Sequence, residues 1–215
     1  QDSGLNHDSL ELDEVIWNRV CRLPQKTQRL LELLCVSGRP TPAALAYQAL
    51  AMVSPGPGCL AQLRTASFVR VAEGKNHEQL VEAYHARSQE SVVAHLSDET
   101  VRELSLSLAE VIEAALDIDE TTLYTSLNTT PDTREAASDL TFEKRQWDSI
   151  FDLAGLFSAA GRADRALPYA LLAAEQAQRQ DALEVAEQQF RIAEQGALNA
   201  SQQIRFRIAD GLGDV

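Results

Sequence analysis

The sequence predicts a mainly α-helical chain with one small β-hairpin. Aromatic residues make up only 6% of its 215 residues, while alanine and leucine are abundant, and this composition favours helices over sheets. Most apolar residues recur at intervals of three and four, as they do on one face of a helix. The alternation typical of strands is confined to two short runs, SFVRVAE and EQLVEAY, on either side of GKNH at 74–77. Two such runs around a glycine-containing turn predict a hairpin.

Charge divides the chain into two regions. The net charge is −13, yet residues 12–96 hold nine basic and seven acidic side chains, whereas the remainder holds ten basic and 25 acidic ones. This charge asymmetry coincides with a change of residue pattern along the chain, and together they predict four segments. These are a polar, disordered start at 1–10, a first domain with trailing helices at 11–116, an acidic and threonine-rich loop or insertion at 117–141, and a helical region at 142–215. Such an acidic second region disfavours nucleic acid as its partner.

The first region is predicted to contain four helices ahead of the hairpin and two after it. Pro24 and Gly38 bracket one helix, and Thr41-Pro42 has the residue types of a cap and first helical turn. SPGPG at 54–58 predicts an interruption of helical structure before a short helix. The predicted helices span 12–23, 24–38, 42–52, 59–66, 86–96 and, after Ser97-Asp98, about 98–115. Helices followed by a hairpin in this order predict a winged helix-turn-helix.

The second region carries small and aromatic residues at the spacing of a tetratricopeptide repeat (TPR). In such a unit, small residues let two antiparallel helices approach closely, and larger ones fill the adjoining groove. Gly161 lies at the predicted turn, while Ala170 and Gln178 depart from the usual aromatic and proline. A generic bundle of amphipathic helices is the alternative. The predicted packing residues are Leu153, Ala154, Phe157, Ala166, Ala173, Ala186, Phe190 and Ala193.

The repeat recurs at a short period, since Ala166 and Ala173 on one helix are matched by Ala186 and Ala193 on the next. The helix around Ala173 is therefore predicted to serve two neighbouring units. Leu212-Gly213 occupies the position where a further unit would place its close-packing pair. The chain begins with glutamine and stops soon after this pair. We therefore expect a fragment of a longer protein whose helical array is truncated at the carboxyl end.

No catalytic or metal-binding motif is present in the sequence. A P-loop, the kinase motifs, G-x-S-x-G and H-E-x-x-H are all missing. The four histidines do not cluster, and Cys21, Cys35 and Cys59 lack metal-ligand or disulfide spacing, so we expect no metal and three buried thiols in a reducing cytoplasm. No run is long enough for a membrane span. We expect this stretch to be non-catalytic and to bind no cofactor.

DNA binding is the alternative function for a winged helix. The candidate recognition helix, CLAQLRTA, offers Gln62 and Arg64, and the hairpin offers Lys75. A protein that reads DNA usually brings more basic and amide side chains to one face. A winged helix that packs against protein is therefore the favoured interpretation, and nucleic acid is an unlikely partner.

Several segments together resemble a known family, the signalling ATPases of the STAND class. LPQKTQRLLELLCVSGRPTP, CLAQLRTASFVRV and VEAYHARSQESVVAHL are similar to the winged-helix region that follows their AAA-type ATPase core. RALPYALLAAEQAQ, ALEVAEQQFRIAEQG and RFRIADGLGDV are similar to the TPR region of the bacterial members. The resemblance covers about 11–116 and 142–215. It implies a parent protein with an upstream ATPase domain that binds ATP or ADP, often fused to a serine/threonine protein kinase domain.

The resemblance also implies a role for one residue. In related ATPases, a histidine just after the hairpin touches bound ADP, and His85 in Tyr84-His85-Ala86 matches that position, with Ala86 where aspartate is usual. The alternative is that His85 closes the hairpin and caps the next helix. As a whole, the resemblance implies a cytoplasmic regulatory segment that contacts the upstream ATPase domain and binds a further protein on its helical repeats.

Overall fold

The computed structural model describes residues 13–52, 58–74, 77–116, 123 and 144–214. They form a mainly helical structure with a small three-stranded antiparallel sheet, which confirms the predicted class. The chain divides into two compact units, Gln1–Val111 and Ile112–Val215. The predicted disordered start at 1–10 lies outside the described residues, as does the predicted loop at 117–141 apart from Leu123.

The first unit consists of helices packed around one central helix and a small sheet. Its elements, in chain order, are α1 (13–20), α2 (Gln25–Ser37), β1 (Thr41–Pro42), α3 (Ala43–Ala49), α4 (Gly58–Thr65), β2 (Val69–Glu73), β3 (Gln79–Ala83), α5 (Ala86–Ala94) and α6 (Asp98–Ala115), of which the last turn belongs to the second unit.

Helix α2 forms the centre of the first unit because neighbours cover it on several sides. It follows Pro24 directly and ends at Gly38, whose φ of 67° is the left-handed conformation that glycine adopts without strain. It packs against α4, α5 and β3, which explains why apolar residues surround it instead of forming one stripe. The core that results includes Leu30, Leu31, Leu33, Leu34, Leu63, Phe68, Val69, Val81 and Val92.

Thr41-Pro42 forms a strand, so the prediction that it begins a helix is wrong. Thr41 pairs with Val81 and Pro42 with Leu80, at the edge of a sheet with the order β1-β3-β2. Pro42 has φ −57° and ψ 126°, which is extended backbone, and α3 begins only at Ala43. Proline is tolerated here because an edge strand does not need every backbone N–H for the ladder.

The predicted hairpin is confirmed, as two strands of the three-stranded sheet. Val69 pairs with Ala83 and Val71 with Val81 in antiparallel register. At the turn, the Gly74 N–H donates to the Glu78 carbonyl at 2.8 Å.

The second unit is a succession of helices that follows the end of α6. After α7 (Lys144–Ala159) come α8 (Ala163–Arg179), α9 (Leu183–Gly196), a 3-10 turn (Ala197–Asn199) and α10 (Gln202–Gly213). Helix α8 packs extensively against both α7 and α9, and α10 packs mainly on α9. Nine residues of α8 are buried, among them Ala166, Ala170 and Ala173, so this helix has a neighbour on two sides.

The turns on either side of α8 have the same conformation. The Arg162 N–H donates to the Phe157 carbonyl at 2.8 Å, and the Ala182 N–H donates to the Ala177 carbonyl at 2.9 Å. The residue before each of these donors is left-handed, Gly161 with φ 71° and Asp181 with φ 56°. Both are six-to-one bonds of a Schellman motif. The number of residues from Gly161 to Asp181 equals that from Ala166 to Ala186, which is the predicted period of the overlapping repeat.

Candidate functional site

The helix crossings of the second unit contain the residues that the sequence analysis selected for repeat packing. All eight are between 0% and 1% exposed: Leu153, Ala154, Phe157, Ala166, Ala173, Ala186, Phe190 and Ala193. The buried alanines lie on α7, α8 and α9, where small side chains let neighbouring helices approach closely.

An aromatic pair joins α7 to α8. The rings of Phe157 and Tyr169 stack with centroids 5.9 Å apart, and the guanidinium carbon of Arg165 lies 4.3 Å from the Phe157 centroid. Glu113 accepts hydrogen bonds from Arg165 and from the Tyr169 hydroxyl, the latter at 2.8 Å. Sequence reasoning missed Tyr169 and Glu113. Tyr169 supplies, one position early, the aromatic side chain that the repeat pattern places at Ala170.

Two glycines mark the closest approaches between helices. A Cβ at Gly196 would lie 2.1 Å from the Ala163 carbonyl oxygen, and one at Gly211 would lie 2.1 Å from Phe190 Cζ. A Cβ at Gly213 would meet nothing within 4 Å. Gly211 is therefore the glycine of α10 that faces α9, and the assignment of Leu212-Gly213 as the close-packing pair of a further unit stays a prediction.

A buried ion pair connects α8 to α10. Arg207 donates from Nη2 to Glu175 Oε1 at 2.7 Å and from Nε to the same oxygen at 3.2 Å. The two side chains are 4% and 13% exposed. Charges removed from water to this extent require good geometry and pairing. The sequence pattern carried no signal for this pair, since its members lie far apart in the chain, on helices that are not consecutive.

His85 lies on the surface of the first unit, where β3 leads into α5. It is the N-cap residue of α5 with extended backbone, and its carbonyl accepts from the Ser88 and Gln89 N–H groups. Its side chain makes no capping hydrogen bond, and its ring contacts Tyr84 edge to face at 4.5 Å. His85 is therefore the N-cap residue through its backbone alone, and its exposed ring lies beside Tyr84.

Two of the three DNA-contact candidates lie on the same helix. Gln62 and Arg64 are both exposed on α4, and Gln62 accepts a hydrogen bond from the Thr27 hydroxyl of α2 at 2.7 Å. Lys75 lies outside the described residues. On the adjoining hairpin, Arg70 pairs with Glu82 at 2.8 Å, so its positive charge is partly compensated.

A cavity of about 940 Å³ opens beside α2, α3 and α4. Arg29 lies on its wall between two carboxylates, Glu32 at 3.3 Å and Glu103 at 2.7 Å, which compensate the guanidinium charge. Burial, and then the neighbouring Cys59, raises the pKa of Tyr47. The lining residues are Gln25, Lys26, Gln28, Arg29, Glu32, Tyr47, Leu50, Ala51, Met52 and Cys59.

The three cysteines differ in burial, and the expectation that all are buried is wrong for Cys21, which is exposed. Cys35 is buried and Cys59 is half-buried. Burial first, and the charge of Glu32 second, raises the pKa of Cys35 to about 12. A thiol with so high a pKa is neutral at physiological pH and therefore a poor nucleophile.

Within the described part of the chain, no group of three or more His, Cys, Asp or Glu side chains is placed to hold a metal ion. None of the described helices is long and apolar enough to cross a bilayer. No protein-family model, curated protein or solved structure matches this chain. Its function is therefore inferred from its own residues and their geometry.

Proposed function

We propose that this chain is a non-catalytic regulatory and protein-interaction segment of a larger signalling ATPase, with a winged helix followed by a TPR-like helical array. The observation that carries the proposal is the repeated step in the second unit. Equivalent left-handed turns at Gly161 and Asp181 join helices whose crossings are packed with small residues. Such stacking is typical of arrays that offer an extended surface to protein partners.

The first unit supports the winged-helix part of the proposal through its order of elements. The order α2, β1, α3, α4, β2, β3 with the sheet order β1-β3-β2 is the one expected of a winged helix-turn-helix, including the short strand at Thr41–Pro42. The net charge of residues 12–96 is near neutral, and the charge of Arg70 is partly compensated by Glu82. Both observations favour a winged helix that packs against protein.

The resemblance of the sequence to STAND-class ATPases supplies the wider context of the proposal. The upstream ATPase domain of the parent would bind ATP or ADP and contact the winged helix, and a cytoplasmic partner protein would engage the array. Nucleotide and partner would then bias a two-state rearrangement of domains. An attached serine/threonine kinase domain would carry the output.

A nucleotide titration tests this assignment. The chain, free of other proteins, is titrated with ADP and with ATP and Mg²⁺ by calorimetry, and phosphate release is followed in parallel. We expect no saturable binding and no hydrolysis, and no difference between the chain and His85→Ala. Saturable binding or turnover by this chain would show that it contains a nucleotide site of its own.

DNA binding remains the second candidate because α4 exposes Gln62 and Arg64 beside the hairpin. An electrophoretic shift with duplex DNA at low and moderate salt separates the two functions. Salt-sensitive binding that is lost in Arg64→Ala but kept in Arg102→Ala, which removes the same charge from an exposed position on α6, would favour DNA. We expect no shift even at low salt.

A further inference from the structure

Helix α10 has one buried face and one exposed face, and the exposed face carries one large apolar side chain, Phe206. Ile204, Arg207, Ile208 and Gly211 are buried within the second unit. Phe206 is 66% exposed, and the exposed residues that share its side of the helix are Gln202, Arg205, Ala209, Asp210 and Gly213.

A heptad assignment shows the regularity of these two faces. With Phe206 at position a, Gln202 and Ala209 fall at d and Gly213 at the next a, while every buried residue of α10 falls at b, c or f. Positions a and d form the seam between two helices, and small residues at such a seam allow close approach. The seam of Gln202, Phe206, Ala209 and Gly213 therefore faces away from the unit to which the helix belongs, with Phe206 as its one large apolar side chain.

The charges beside the seam determine which helix fits it. Arg205 is at position g and Asp210 at position e, about 140° apart around the helix, where they cannot pair with each other. In a parallel two-fold pair, position g of one helix lies beside position e of the next heptad in the other. Each Arg205 would then meet Asp210 of the other copy, twice by symmetry. In an antiparallel pair, like positions meet, which places arginine against arginine.

We propose that the exposed face of α10, formed by Gln202, Arg205, Phe206, Ala209, Asp210 and Gly213, binds the same face of a second copy of this chain in a parallel two-fold pair. The two Phe206 rings meet across the axis, and two Arg205–Asp210 ion pairs flank them. The proposal goes beyond the function proposed above, because it assigns self-association to a surface and does not depend on nucleotide or on another partner.

The expected pairing is weak and sensitive to salt. Helix α10 has 12 residues and is thus about 18 Å long. Its seam alone offers less than the roughly 1,000 Å² of buried surface expected of a stable specific interface. We therefore expect a rapid monomer–dimer equilibrium in the high micromolar range that shifts towards monomer as salt increases.

A charge exchange tests both the interface and its orientation. Sedimentation equilibrium of the full chain over a concentration series measures dimerisation. Arg205→Asp and Asp210→Arg should each weaken it at least about tenfold by placing like charges together, and the double variant Arg205→Asp with Asp210→Arg should restore it. Arg102→Asp, which makes the same charge change on α6, should leave dimerisation unchanged.

The apolar seam is tested by Phe206→Ser, which should abolish dimerisation while circular dichroism shows that the fold is retained. Leu183→Ser removes another exposed apolar side chain, 45% exposed on α9, and should have no effect. A chain that stays monomeric at every concentration would overturn the proposal, and would leave the seam to another protein or chain segment. Dimerisation that is insensitive to Phe206→Ser, or not restored by the charge exchange, would also overturn it. None of these outcomes bears on the nucleotide test.

Discussion

Replacing Gly211 with alanine should destabilise the second unit, whereas the same change at Gly213 should not. The added Cβ at position 211 would lie 2.1, 2.5 and 2.6 Å from three carbons of the Phe190 ring, while non-bonded carbons prefer about 3.5–4.0 Å. Phe190 is only 1% exposed, so its ring is packed against other residues. The ring or one of the two helices must then shift by more than about an ångström.

The size of the effect follows from two opposing terms. Overpacking of a buried contact costs about 1–3 kcal/mol, and the better helix propensity of alanine over glycine offsets about 1 kcal/mol of this. We expect Gly211→Ala to lower the free energy of unfolding by up to about 2 kcal/mol. Gly213→Ala meets open space and should be neutral or slightly stabilising.

Urea unfolding measures both variants. Trp147 lies on α7 in the second unit, and a Trp17→Phe background removes the tryptophan of the first unit, so that fluorescence reports the second unit alone. In a Phe190→Ala background the ring is gone, and Gly211→Ala should no longer be destabilising. Equal stabilities of the Gly211→Ala and Gly213→Ala variants, or a penalty that persists without the ring, would refute the packing assigned to α9 and α10.

The structure predicts the effect of three further substitutions on stability. Arg207→Met removes the guanidinium that donates to Glu175 Oε1 and should lower the free energy of unfolding by up to about 3–5 kcal/mol. Glu175→Leu in the same chain should restore most of this loss. An unchanged stability of the single variant would contradict a buried pair. Burial raises the pKa of Cys35 from 9.0 to about 12, so the contribution of the neutral thiol to stability is complete below pH 9. It is lost as pH rises from 9 to 12, at up to about 1.4 kcal/mol per pH unit. In Cys35→Ala the alkaline loss of stability should become shallower, and an unchanged slope would count against the burial of this thiol. Gly155 is exposed within α7, and a Cβ added there would meet open space. Gly155→Ala should therefore raise the midpoint of thermal unfolding through about 0.5–1 kcal/mol of helix propensity. A lower midpoint would contradict the open space at this position.

Local signals predicted most helices and the hairpin of the described chain correctly. Pro24 and Gly38 bracketed α2, and Gly161 marked the turn between α7 and α8, where a left-handed residue is required. The turn at Asp181 has the same geometry without glycine. The sequence carried no local turn signal there, although the packing residues recur on either side of it.

The features that the sequence did not reveal depend on distant partners. Thr41-Pro42 has the residue types of a helix start, and only its pairing with β3 makes it a strand. In α10, the residue pattern could not show that Gly211 faces α9, since that depends on how the helix is rotated against its neighbour. Arg207 and Glu175 are ordinary surface residue types whose burial results from packing between separate helices.

The central claim is that the second unit is an array in which α8 serves the helices on both sides. Native-state hydrogen exchange, followed amide by amide, tests this most directly. Because α8 packs against both α7 and α9, its amides should be the most protected of the unit, with α7 and α10 opening first from either side. Amides of α8 that exchange faster than those of α7 or α10 would contradict the shared-helix array and remove the observation on which the proposed function rests.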